Sequence, residues 1–401
     1  MRKAVVIMFH SVGLDKHKWL SPRITEPIGT FDRKMAALRH KGFATTFFKD
    51  HVPGTASARR EVVLTFDDGY LDNWVHVFPV LKRYGLKGTI FVNPEFVDPR
   101  DLVREQVDPV DADDAHHDAT DCCAGFLSWP EMREMERSGL VDIQSHALTH
   151  TWYFKGPRIV DFWDPGAAVR RWGPIWMLWN EFPDFKPYYL TKAAEYETRI
   201  PYGSPIYEHG KSLATRRYFP GDGLDKVLPR HVAEHGGVEF FRRRDWRAAL
   251  HAVADRHRER VGPEAAVGRL ESDDDYLGRI RHELSESKRI LEQNLEKTID
   301  ALCWPGGGVT DTVLETAREV GYRRFTLPSG SRAQLVEGNW SDLTPRGGGW
   351  TRIRYRGRDL GTPGAREFRW AVEGASGSLL HWSLVRGAVL LRLGWSYLKG
   401  G

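Results

Sequence analysis

Val62-Val63-Leu64-Thr65-Phe66-Asp67-Asp68-Gly69-Tyr70 is the stretch that decides how this chain folds. A run of apolar and β-branched residues meets two adjacent carboxylates and a glycine. That is the pattern of a buried strand ending abruptly at a site. Neighbouring residues on a regular strand point to opposite faces, so Asp67 and Asp68 cannot converge while the strand continues. At a strand end the chain is released from that alternation, and Gly69 permits a sharp turn. Two adjacent carboxylates can then do unlike work, one binding a cation and the other handling a proton.

A second half of the site lies downstream. Val141-Asp142-Ile143-Gln144-Ser145 alternates like a strand and runs into His146-Ala147-Leu148-Thr149-His150. Two imidazoles four residues apart share one face if the backbone turns helically, close enough to grip one ion. With one carboxylate they make a set of three ligands with an open position for water, the usual shape of a hydrolytic metal site. Taken singly, Asp-Asp-Gly is commonly a solvated turn and His-x3-His a surface pair. Their weight comes from occurring in order, each after a strand-like run.

TFDDGY followed by SHALTH resembles the first two motifs of the polysaccharide deacetylase superfamily (NodB homology, carbohydrate esterase family 4). Cys303-Trp304-Pro305-Gly306-Gly307-Gly308 resembles its third motif, an aromatic-Pro-x-Gly loop. The resemblance implies Asp67 as general base, Asp68, His146 and His150 as metal ligands, and the backbone amide of Gly306 as an oxyanion donor. Ala4-Val5-Val6-Ile7-Met8-Phe9-His10-Ser11-Val12 is similar to the Tyr-His-x-Val strand of the poly-N-acetylglucosamine deacetylase subgroup, which implies His10 as general acid. Leu379-Leu380-His381 is a rival for that role and ranks lower, because it lies in an apolar run that reads as helix. Relatives often carry an arginine two residues before the third-motif proline; here that position is Cys303. Arg346 and Arg352 are the candidates to replace it, and the sequence does not choose between them.

The implied fold is a distorted (β/α)7-type barrel with a large insertion. Strand-like runs at Ala4–Phe9, Phe43–Phe47, Val62–Phe66, Gly88–Val92, Val141–Gln144, Ala301–Trp304 and Arg324–Leu327 alternate with helical patterns at Phe31–Lys41, Trp74–Tyr84, Trp129–Ser138, Asp275–Ile299 and Thr310–Val320. Such alternation argues for a mainly parallel α/β sheet, whose sites lie at the carboxyl ends of the strands. Residues 1–150 and 276–355 would form the barrel. Residues 151–275 read as an aromatic and basic insertion beginning at the active-site rim, and 356–401 as a C-terminal tail. Trp152, Tyr207 and His209 of the insertion, with Pro305, are the candidate substrate contacts, since sugars stack on aromatic faces. For most tryptophans of the insertion, a small core of their own is the preferred reading.

Lysines and arginines number 58 against 54 acidic residues, a net charge of +4, which gives no basic excess of the kind a nucleic-acid binder shows. Three cysteines, two of them the adjacent Cys122-Cys123, make no disulfide framework and suit a reducing compartment. The aspartate-rich stretch around His116 and His117 reads as an acidic loop. Arg242-Arg243-Arg244 reads as a solvated face, with phosphate contact as the alternative. The amino terminus shows no cleavage site, and the expectation is a cytoplasmic enzyme, associated with the inner face of the membrane through the Leu- and Trp-rich tail. Arg386 and Arg392 interrupt that tail and argue against a transmembrane span.

The activity expected from these signs is removal of an N-acetyl group from an amino sugar in a glycan or lipid-linked precursor. One divalent ion is expected, zinc first, with cobalt, manganese and iron as alternatives. Two other classes stand beside it: a glycan-binding protein on a deacetylase fold, and an amidohydrolase acting on a small heterocycle. An intact Asp67 favours catalysis, and the long aromatic insertion favours a large substrate.

Overall fold

The structure is a computed structural model, and it describes residues 5–13, 24–50, 60–107, 124–170, 173–262, 268–326, 349–350, 365–375, 378, 380–381 and 383–384. Its strands in chain order are β1 (Val5–Phe9), β2 (Ser11–Gly13), β3 (Thr25–Pro27), β4 (Ala44–Thr45), β5 (Glu61–Asp68), β6 (Gly88–Val92) and β7 (Val141–Ser145). There follow β8 (Trp152–Phe162), β9 (Pro205–Lys211), β10 (Tyr218–Phe219), β11 (Arg269–Leu270), β12 (Ala301–Leu302), β13 (Arg324–Thr326) and β14 (Gly349–Trp350). The chain divides into two compact units. One comprises Met1–Leu148, Ser285–Gly307 and Arg318–Gly401, the other Thr149–Leu284 and Gly308–Ala317.

The first unit is built on one parallel sheet flanked by helices, ordered β1-β5-β6-β7-β12-β13-β14, with β4 also paired to β5. Every ladder in it is parallel. Val62 through Phe66 are all buried, so β5 is covered on both faces. Parallel strands read as continuous apolar runs for that reason. Helix α1 (Ile28–His40) places Ile28, Phe31, Met35 and Leu38 on one buried stripe. Phe31 meets Phe9 edge-on at 5.3 Å, and Phe9 stacks on Phe66 at 5.4 Å. These contacts lock β1 and β5 in register with the helix covering them.

The helix expected over Trp74–Tyr84 divides in two. Asn73–Val77 forms a wide π-type turn, and α2 (Phe78–Tyr84) starts with Pro79 in its first turn. Proline cannot supply an interior helical N–H but suits a helix start, so a new helix begins there. Helix α3 (Trp129–Arg137) begins on a reciprocal capping box between Ser128 and Glu131, which satisfies two otherwise orphaned N–H groups. The strand expected at Phe43–Phe47 shortens to the two residues of β4.

The second unit carries the antiparallel ribbon β8–β9, whose register shifts between Phe154 and Ile159 and again before Asp161. Gly156 and Pro157 interrupt β8 where the first shift falls. Both residue types mark bulges in strands. The unit has its own core. Ile159, Phe162, Tyr207, Leu224, Leu228, Val232, Phe240, Trp246 and Leu250 bury together. No described helix is long and apolar enough to cross a membrane.

Candidate metal and catalytic site

β5 carries both carboxylates to its end. The ladder to β6 continues through Asp67↔Phe91 and Asp68↔Val92, so the strand does not stop before the pair as the sequence suggested. Convergence comes from the backbone instead. Asp68 sits at φ 76°, as does Gly69 at φ 69°, both left-handed. One residue in that conformation breaks the two-residue alternation and lets Asp68 turn away from its strand position. Asp67 stays buried while Asp68 is partly exposed.

The two histidines meet by a different route from the helical turn expected. After β7 the chain bends through Ala147 at φ 59° and His150 at φ 42°. Left-handed positions of non-glycine residues each cost of the order of 1–3 kcal/mol and persist only where surroundings impose them. Three of the four in the described chain fall on or between Asp68, His146 and His150. Asn93, just past β6, donates its side-chain amide to the carbonyls of His146 and Ala147. Glu283 accepts from the Thr149 amide and hydroxyl at 2.8 Å, and Lys186 donates to the Thr149 carbonyl at 3.0 Å. The turn is over-determined by partners on both sides of its strained residues.

One donor atom each from Asp68, His146 and His150 lies within 4.8 Å of the others. His146 Nδ1 donates to the Cys303 carbonyl at 2.8 Å, which turns Nε2 toward Asp68 Oδ1, 3.2 Å away. Fixing one ring nitrogen on a carbonyl so that the other faces an ion is how metal-binding imidazoles are oriented. Burial works against a charge on His146, but Cys303, Asp68 and Asp67 outweigh it and hold its pKa well above the usual histidine value. The pocket therefore favours positive charge at that nitrogen. Two imidazoles and one carboxylate suit zinc and its first-row neighbours, so the residues fit a divalent ion. Asp67, His146 and Cys303 form a second group of donors within the same distance, and all three are buried. A buried set of that kind has no open face for substrate, whereas Asp68 and His150 are partly exposed.

His10 stands between β1 and β2, with Nε2 3.8 Å from Asp67 Oδ2. Its rival His381 bonds through Nδ1 to the Ser378 hydroxyl at 2.7 Å, a local contact within its own helix start. Cys303 is fully buried and its thiol lies 3.7 Å from Asp67 Oδ2. Arg346 and Arg352, the sequence's candidates for orienting Asp67, lie outside the described residues, as do Cys122, Cys123, His116, His117 and the tail beyond Leu384. The third-motif loop folds as a tight turn over Pro305–Gly307, with Gly306 at φ 53° and the Gly307 amide bonded to the Trp304 carbonyl at 2.9 Å. Trp304 stacks on Phe325, 5.5 Å apart and nearly parallel, which fixes the entry to that turn.

The expected substrate contacts separate. Trp152 is half-buried, with its ring against His150 at 5.6 Å and Trp179 at 6.3 Å. His209 donates through Nδ1 to the Tyr207 carbonyl and packs on Trp176. Pro305 is buried and shapes the turn rather than presenting a face. Tyr207 corrects the sequence reading: it is 1% exposed, sits in the unit's core and donates its hydroxyl to Asp222 at 2.7 Å. Burial and that charged acceptor push its pKa far up, so its hydroxyl is committed to the fold. Asn93 and Cys303 were missed as site residues. For Asn93 the signal was present, a polar residue directly after the buried strand Gly88–Val92, at the carboxyl end where such sheets place function.

Residues 54–163 match the family model described as polysaccharide deacetylase. YxkH of Bacillus subtilis strain 168, which is named as a polysaccharide deacetylase, is 28% identical over 152 residues. That is 37% of this chain and 43% of the relative, so the match spans less than half of that protein. Among solved structures, a de-N-acetylase from Aggregatibacter actinomycetemcomitans is similar over 88% of this chain and 97% of its own, at 16% identity and a TM-score of 0.47. IcaB from Ammonifex degensii is similar over 94% and 98%, at 15% identity and a TM-score of 0.45.

Proposed function

We propose, from the premise that this chain belongs to the polysaccharide deacetylase superfamily, that it is a metal-dependent hydrolase removing N-acetyl groups from an amino-sugar glycan. The observation that carries the reading is the convergence of Asp68, His146 and His150 beside a buried Asp67 that His10 faces. Asp68, His146 and His150 would hold the ion, zinc by donor type. Such an ion, when bound, polarises the acetamide carbonyl and makes water acidic enough to give up a proton near neutral pH. Asp67 accepts that proton; the Cys303 thiol and His10 keep its carboxylate in place. The backbone amide of Gly306 is assigned as the donor to the developing oxyanion. His10 delivers a proton to the leaving amine, which an amide needs because an amide anion is too poor a leaving group. Acetate and a free amino sugar result.

The test is acetate release from N-acetylglucosamine oligosaccharides by protein stripped with chelator and then resupplied with zinc, cobalt, manganese or iron. Activity should vanish on stripping and return with one ion per chain, and His150→Ala should hold no stoichiometric metal. Full activity in stripped protein would refute the metal reading. For the carrier, we propose a lipid-linked or membrane-associated glycan, supported by the basic aromatic insertion and the Leu- and Trp-rich tail. Preference for soluble oligosaccharide, with no sedimentation on anionic vesicles, would remove that part.

A further inference from the structure

His10 occupies the single residue between β1 and β2 and has no place in either ladder. The side before it is held by β1, whose last pair is Phe9↔Phe66. The side after it is held differently. Asn73 donates its amide to the His10 carbonyl at 2.9 Å and to Asp72 Oδ1 at 2.8 Å. Asp72, wholly buried, also accepts the Ser11 hydroxyl and the Val12 backbone N–H. Three consecutive residues, His10, Ser11 and Val12, are thus fastened to two side chains. Both stand at the start of the wide turn Asn73–Val77, four and five residues past Asp68.

We propose that Asp72 and Asn73 are positioning residues for His10, so that the loop carrying the base and a metal ligand also sets the reach of the acid. This rests on His10 being the acid of the reaction above. His10 lies between two ladders and is set by the register of neither, and a displacement of about 1 Å at a reacting group costs up to 10²-fold in rate. A carboxylate is costly to bury, and here its acceptors are spent on Asn73 and on the two residues after His10 instead of on a helix cap or a surface lysine. Asn73 links that anchor to the His10 carbonyl itself.

The test compares two substrates in the metal-loaded enzyme, an N-acetylglucosamine oligosaccharide and an aryl acetate ester whose phenolate leaves without a proton. Asn73→Ala should lower kcat on the amide by about 10-fold with KM and metal content retained. The ratio of ester to amide turnover should rise, as it should in His10→Ala. Asn73→Asp and Ser11→Ala should fall between the parent and Asn73→Ala. In protein with ¹⁵N-labelled histidine, the His10 ring resonances should shift in Asn73→Ala while those of His235, on the exposed face of the other unit, stay put. If ester and amide activity fall together, or neither falls, while His10→Ala gives the selective loss, the clamp is structural and the inference is overturned. If His10→Ala shows no selective loss, it is the choice of acid that fails. The ring resonances then still decide the clamp, since an unmoved His10 signal in Asn73→Ala overturns it.

Discussion

The carboxyl ends of β5 and β7 and the ribbon β8–β9 all carry candidate site residues in the sequence, and the structure uses them in different ways. Each of β5, β6 and β7 is laddered on both sides, so its register is fixed twice over. Polar residues released at those ends converge: Asp67 and Asp68 from β5, Asn93 from β6, His146 from β7. Among the described residues the ribbon strands pair only with each other, and they slip register twice. Their aromatic residues mostly turn inward, and the unit spends Tyr207, Phe162 and Trp246 on its own core. Chemistry needs side chains held to a fraction of an ångström, which a doubly paired strand end supplies. A singly paired, bulged ribbon tolerates irregularity.

The sharpest way to break this contrast is at the strand end. Asp67→Asn should cost roughly 10²- to 10⁴-fold in acetate release, the scale of a removed general base, with metal content unchanged by elemental analysis. A variant that keeps its rate would place Asp67 outside the chemistry. In the ribbon unit the corresponding loss should be one of stability. Phe162 is fully buried against Trp246 and His251, and Phe162→Ala should destabilise by about 3–5 kcal/mol in denaturant unfolding. A small shift in midpoint would mean that the ribbon's aromatics are not a core.

Asp72 sharpens the comparison through pH. Burial raises its carboxyl from 3.8 to about 7, against the opposing hydrogen bonds from Ser11 and Asn73. The folded state then keeps a proton that the unfolded chain has already released. Its contribution to stability is present below about pH 4 and is lost as pH rises through 7. The stability of the parent should therefore decline relative to Asp72→Asn across that window, by at most about 1.4 kcal/mol per pH unit. Parallel stability-against-pH curves would show that Asp72 does not titrate there. The smallest effect belongs to Tyr207→Phe. It removes one hydrogen bond to Asp222, which Arg258 still pairs at 2.7 Å. About 1 kcal/mol of stability should go, and kcat/KM on oligosaccharide should not move; a fall in KM-linked affinity alone would restore Tyr207 as a substrate contact.

The buried strands were legible because each carries a near-continuous apolar run, and the helix Trp129–Arg137 because Ser128 and Glu131 announce its start. Asp67-Asp68 and His146/His150, which the sequence singles out in order, are brought close together by the fold. The left-handed backbone at Asp68, Ala147 and His150 was not legible, since nothing in an aspartate, an alanine or a histidine asks for positive φ. Around Ala147 and His150 the turn is held by Asn93, Glu283 and Lys186, which are distant in sequence. Tyr207 misled for a related reason: an aromatic residue reads the same whether it faces a ligand or a core.

By itself, the sequence determined the parallel sheet, the order of the motifs and the chemical type of the candidate donors, because hydrophobic periodicity and residue chemistry are local properties. Only the tertiary structure decided which atoms meet. It gave Asp68 a left-handed backbone, set His146 Nε2 toward that carboxylate, placed the Cys303 thiol against Asp67, and fastened His10 through Asp72 and Asn73. Those are distances between residues up to 236 positions apart. They are fixed by packing and buried hydrogen bonds, whose cost if left unmade exceeds any local preference of the chain.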